Sequence, residues 1–153
     1  MYDTILLATD GTVASENAAS HAIELAQAHG ADLRVVYVVD ESVYTAYSGD
    51  EYVDGAEGPE HGLEETGEAA IDAVRREAEA AGVDVTGELR HGDPAETVVA
   101  HADEVDADLL VLGTRQRPEE YRALLGSVTD RVLRLATRPA IVVKTEAEAE
   151  AGA

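Results

Sequence analysis

The sequence predicts a doubly wound α/β domain, with five mostly parallel strands in one sheet and helices on both of its faces. Short apolar runs alternate with stretches of helical period along the chain, the signature of successive βαβ units. Three of the five runs are continuously apolar, as expected of strands covered on both faces. Residues that start and stop helices stand where the period changes, so the same division is marked twice.

Taken in order, "TILLA" (4–8) is the first strand. A helix follows over 15–29, where Ala18, Ala22, Leu25 and Ala26 share one face and Gly30 supplies the C-terminal stop. "LRVVYVV" (33–39) is the second strand. Residues 40–62 break the alternation: they are acidic, glycine-rich and aperiodic, so they read as a mobile surface excursion. Tyr44, Tyr47 and Tyr52 within it anchor the loop or cover a ligand. The second helix spans 64–81, with Ile71, Val74 and Ala78 inward and Gly82 at its end. "VDVTGELR" (83–90) is the third strand. The next helix opens on "DPAE", where Asp93 caps, Pro94 takes the first helical position and Glu96 completes a capping box. "DLLVLG" (108–113) is the fourth strand. The last helix opens on "SVTD", with Ser127 as cap and Val128, Val132, Leu135 and Ala136 on one face; "PAIVVK" (139–144) is the fifth strand. The domain is thus 1–144, and the low-complexity acidic tail 145–153 is expected to be disordered.

At 153 residues and 16.1 kDa the chain suits one domain with one sizeable core. It has no cysteine, which excludes disulfides, thiolate zinc sites and cysteine nucleophiles. No basic leader region precedes an apolar stretch, and no apolar run approaches the ~18 residues that span a bilayer. The expectation is a soluble, cytoplasmic protein. The formal charge is −21, from 32 acidic against 11 basic residues. Such a surface repels nucleic acid and anionic membranes, so neither is expected as a partner. A lysine-poor, acidic, alanine-rich composition fits adaptation to a salt-rich, halophile-like cytoplasm, where self-repulsion is screened.

Folds of this class bind ligands beyond the carboxyl ends of the strands, where the strand order reverses. The loop after the first strand reads "ATDGT". A phosphatase of the D-x-D-G-T kind needs an aspartate nucleophile where Ala8 stands, so that chemistry is excluded. Asp10 remains, either as acceptor for a ribose or base amine or as a turn cap. The loop after the fourth strand, "GTRQRPEEYRALLGS" (113–127), is neither a Walker A loop nor G-x-G-x-x-G. Gly113 ends a strand and Gly126–Ser127 opens a helix, where free N–H groups favour an anion; a glycine turn with an ordinary serine cap is the other reading. Residues 113–138 hold Arg115, Arg117, Arg122, Arg131, Arg134 and Arg138 against Glu119, Glu120 and Asp130, and the arginine fork suits phosphate. Arg134 and Arg138 near a helix C-terminus also have a simpler role there. The histidines at 21, 29, 61, 91 and 101 show no metal-ligand spacing, and Ser127 lacks the G-x-S-x-G elbow. No paired acid and base emerges, so catalysis is not expected.

Gly113, Arg117, Arg122 and "LGSVTDRVL" (125–133), preceded by "HGDPAETVVAHADEVDADLLVLGTR" (91–115) and "ILLATDGTVASENA" (5–18), resemble the universal stress protein family across nearly the whole chain except 40–62 and the tail. The resemblance implies a Rossmann-like sheet in the strand order 3-2-1-4-5. It also implies a homodimer that pairs the last strand, Pro139 to Lys144, across a two-fold axis and, in one branch, an ATP site with Mg or Mn. That branch carries G-x2-G-x9-G-[ST]. By position its glycines are Gly113 and Gly126, followed by Ser127, while Gln116 replaces the middle glycine and Glu119, after Pro118, replaces another. The carry-over places Ala8 and Asp10 at the adenosine, Val38 at the base edge and the Val128 N–H at phosphate, with Arg115 and Arg117 nearby. If position 116 needed a positive φ, a side chain there would cost about 1–2 kcal/mol. A lost charge-assisted hydrogen bond would cost about 1.5–3 kcal/mol more, together on the order of a hundredfold in affinity. Three functions follow: a nucleotide-responsive stress sensor, a nucleotide-independent scaffold for other stress proteins, or a weak ATP hydrolase or phosphotransferase.

Overall fold

A computed structural model describes residues 2–41, 59–116 and 126–146. Five strands and four helices alternate: β1 (Thr4–Ala8), α1 (Val13–His29), β2 (Asp32–Asp40), α2 (Pro59–Ala80), β3 (Val85–Gly92), α3 (Pro94–Glu104), β4 (Leu109–Gln116), α4 (Ser127–Leu135) and β5 (Ala140–Glu146). They form one all-parallel sheet in the order β3-β2-β1-β4-β5. The excursion tyrosines and the tail from 147 lie outside the described residues.

The alternation of β1 divides the core. Ile5 and Leu7 face α1 and α2 with Leu33, Val35 and Val39. Leu6 faces α3 and α4 with Val36, Leu110, Leu112 and Val132. Burial of each such side chain is worth roughly 1.5–3 kcal/mol, so the two half-cores together lock the central strands between four helices.

The caps are largely those expected. Gly30 closes α1 at φ 66°, a conformation that favours glycine. Asp93 caps α3 by accepting from the Glu96 N–H at 3.0 Å, and Pro94 begins the helix. The Glu96 carboxylate, however, does not complete the box but lies 3.4 Å from Arg131 Nη2. α1 starts two residues before the expected point because Thr12 accepts from the Ser15 N–H. α2 likewise begins at Pro59, inside the expected excursion.

Other departures trace to packing. Residues 83–84 belong to the turn after α2, where the buried Val83 donates its N–H to the Ala78 carbonyl at 2.9 Å, so β3 runs from Val85 to Gly92. The ladder joining β4 to β5 continues through Thr114↔Lys144, Arg115↔Thr145 and Gln116↔Glu146. Both strands therefore outrun their apolar runs, and Thr145, 5% exposed, belongs to the sheet rather than to a tail. Asn17 Nδ2 donates to Thr145 Oγ1 at 2.7 Å, which explains its burial. In α4 the cap is Gly126 and not Ser127, and Val128 and Leu135 are exposed. The inward face is Thr129 and Val132, because the Thr129 hydroxyl donates to the Gly113 carbonyl at 3.2 Å.

Candidate functional site

The strand order reverses at β1, which sends the chain to β2 on one side and is joined by β4 on the other. At that point a cleft of about 390 Å³ opens. Asp10 and Thr12 line it from the β1–α1 connection, Ala14 from the first turn of α1, Gly113 and Thr114 from β4, and residues 126–129 from the start of α4.

One wall is a held carboxylate. Asp10 Oδ1 accepts from the Thr12 N–H (3.0 Å), the Thr12 hydroxyl (2.6 Å) and the Ser15 hydroxyl (2.6 Å). The loop around the Asp10 carboxyl shields it, which raises its pKa, but the bonds from Ser15 and Thr12 outweigh that and hold it below its usual 3.8. Asp10 is therefore anionic near neutrality. Its charge reaches Tyr37, whose phenol is pushed up by burial first and then by Asp10.

The opposite wall is a helix start. No side chain caps α4, so the first-turn N–H groups are open to the cleft at the positive end of the helix. Two threonines fix that turn against β4. Thr114 Oγ1, 3% exposed as a residue, accepts from the Gly126 N–H at 2.9 Å, and Thr129 holds the Gly113 carbonyl. Thr114→Val would leave the Gly126 N–H unpaired; it is expected to lower stability by about 1–3 kcal/mol, read as a lower urea midpoint at unchanged m.

Of the predicted site residues, the cleft unites Asp10, Gly113, Gly126, Ser127 and Val128. Ala8 and Val38 do not line it; both are half-buried against the α3–α4 half of the core. Arg115 pairs with Thr145 through the β4–β5 ladder, and Arg117 and Arg122 lie outside the described residues. The arginine surplus is also redirected. Arg131 Nη1 donates to both Asp93 oxygens (3.1 and 3.0 Å), Arg134 pairs with Asp130 at 3.0 Å, and Arg138 bridges Asp103, Asp106 and the Ala107 carbonyl. Arg131 thus ties α4 to the start of α3 and Arg138 ties the turn after α4 to the end of α3, while Arg134 pairs within α4; none of the three lines the cleft. Thr12, Thr114 and Thr129 escaped the sequence reading: a threonine has no period or motif of its own, and only Thr12, three residues before Ser15, carries a capping signal.

Gln116 is part of β4, paired with Glu146. Asp106 alone among the described non-glycine residues has a positive φ, so the strain expected of a side chain at 116 is absent.

Comparisons with known proteins agree with this fold. Residues 1–144 match the model of the universal stress protein family. A universal stress protein of Methanocaldococcus jannaschii is 37% identical over 148 residues, covering 94% of this chain and 83% of that protein. Among solved structures, hypothetical protein MJ0577 superposes with a TM-score of 0.75 at 25% identity, covering 94% of this chain and 96% of that one. A universal stress protein in complex with cAMP gives 0.64 at 26% identity, covering 94% and 97%. The chain belongs to the universal stress protein family.

Proposed function

We propose that the cleft between β1 and β4 binds ATP or a related adenine nucleotide, and that the protein acts as a sensor module of the stress response. The observation that carries this reading is the polarity of the cleft: the Asp10 carboxylate on one wall suits ribose hydroxyls or a base amine, and the uncapped α4 N-terminus on the other suits phosphate. The solved relative in complex with cAMP supports the ligand class. Among the described residues no three metal-ligating side chains gather, so Mg or Mn would enter on the phosphates of the nucleotide. Turnover is not part of the proposal, because a carboxylate held below its usual range is a poor general base.

The protein works as a cytoplasmic homodimer in this reading, through the outer edge of β5. That strand ends the sheet, so its backbone groups are available to a second copy. Among the described residues no helix is long and apolar enough to cross a membrane.

The scaffold reading has its own support. The Gly126 N–H is satisfied by Thr114, and three arginines are engaged in ion pairs, so these features stand without a ligand. Calorimetric titration of ATP and AMP in molar KCl separates the two. The wild type is expected to bind at or below millimolar concentration, and Ser127→Ala to bind about tenfold more weakly although its hydroxyl caps nothing. No heat and no thermal shift for the wild type would establish the scaffold instead. Gln116→Gly is expected to gain no affinity, since there is no strain to relieve. It should lose about 0.5–1 kcal/mol of stability, as glycine does within a strand.

A further inference from the structure

Behind the cleft, Ser15 is 5% exposed, and its hydroxyl makes two bonds to one residue. It accepts from the Asp10 N–H at 3.0 Å and donates to Asp10 Oδ1 at 2.6 Å. A hydroxyl has a single proton, so giving it to Oδ1 ties the carboxylate while the lone pair ties the backbone that carries it. Thr12 also binds Oδ1, but Thr12 is exposed and water can replace its hydroxyl, whereas Ser15 is buried. Because Oδ1 takes all of these bonds, Oδ2 is the oxygen left to meet a donor in the cleft.

We propose that Ser15 is the positioning residue of the cleft: by clamping Asp10 at its N–H and its Oδ1, it presents Oδ2 as an oriented acceptor and makes the site select a ribose over a sugar without hydroxyls. The selection follows from the chemistry of the acceptor. A carboxylate only accepts, so a ligand that brings hydroxyl donors is retained and one that lacks them leaves the anion short of a partner. The selectivity half of the inference rests on the nucleotide reading; the clamp itself does not.

The test has two arms on the full chain. In the first, the Asp10 carboxyl is titrated by NMR without ligand. Its midpoint is expected below the usual 3.8 in the wild type and higher in Ser15→Ala, where the shielding of the carboxyl loses its largest counterweight. Asp10 then contributes stability at pH above about 4 that is lost as the pH falls through the lowered midpoint, and this acid-side loss shrinks in the variant. An unmoved midpoint overturns the clamp. In the second arm, AMP and its 2′,3′-dideoxy analogue are compared by calorimetry. The wild type is expected to prefer AMP on the order of tenfold. In Ser15→Ala the ratio falls towards one through weaker AMP binding, with the analogue unaffected. A serine that only supported the fold would weaken both ligands alike, and an unchanged ratio overturns the proposal. Ser15→Cys, close in size but a weak donor, is expected to follow Ser15→Ala, with thermal melts confirming that both are folded. If the wild type binds neither ligand, the nucleotide reading and the selection fall together, while the NMR arm still decides the clamp.

Discussion

Gly113→Ala is expected to lower the stability of the protein by about 3 kcal/mol, at the upper end of ordinary overpacking, and its Tm by roughly 10 °C. A Cβ added at Gly113 would run into the Ala14 carbonyl, whose carbon lies 2.8 Å away, with the Ala18 Cβ at 3.2 Å. The obstacle is chiefly backbone of the first turn of α1, which has no rotamer to change. To relieve the clash, α1 must shift from β4, and Ala18, Ala22 and Ala26 beneath it are fully or almost fully buried. Thermal unfolding of the variant without ligand checks this. A loss below about 1 kcal/mol would show that α1 yields easily, and Gly113 would then need another explanation. The first glycine of the motif is thus required by helix-to-strand contact, whatever the cleft holds.

Gly126→Ala is expected to behave in the opposite way, weakening nucleotide binding by roughly 10- to 100-fold while lowering stability by no more than about 1 kcal/mol, the difference between glycine and alanine at an N-cap. Gly126 has φ −60° and ψ 152°, which any residue adopts, and a Cβ there would first meet Thr114 Oγ1 at 3.4 Å. The fold therefore has no strict need of glycine at this position. Its missing side chain keeps open the mouth of the cleft beside the first-turn N–H groups of α4. Calorimetry paired with a thermal melt reads both quantities. Unchanged affinity in a nucleotide-binding wild type would mean that the ligand does not approach this turn. The two motif glycines, thirteen positions apart by their numbering, thus have separable causes.

Much of the fold was legible because its signals are local. The apolar runs of β1 and β2, the stop at Gly30 and the cap at Asp93 each depend on residues within a turn or two, and the structure bears them out. The site was half legible. Asp10 and the residues from Gly126 to Val128 carry recognisable chemistry at strand and helix ends, and they do line one cleft. The misreadings are long-range. The surplus of arginine over acid at 113–138 suits phosphate on charge alone, but Arg131 reaches back to Asp93, and Arg138 has a structural partner in Asp103, in keeping with the simpler role its place after a helix allows. Val128 and Leu135 fit a helical stripe, yet the hydroxyl of Thr129 orients the start of α4.

By itself the sequence determined the βαβ alternation and the family to which the chain belongs. Period, caps and motif spacing are properties of neighbouring residues, and they need no partner across the sheet. Only the tertiary structure decided why Gly113 must be glycine, that Gln116 is an unstrained strand residue paired with Glu146, and that Ser15 grips Asp10 from behind. Each of these depends on a contact with another segment or with the far side of a turn, and the distance that makes it attraction or clash is set only when helix, strand and loop are packed together.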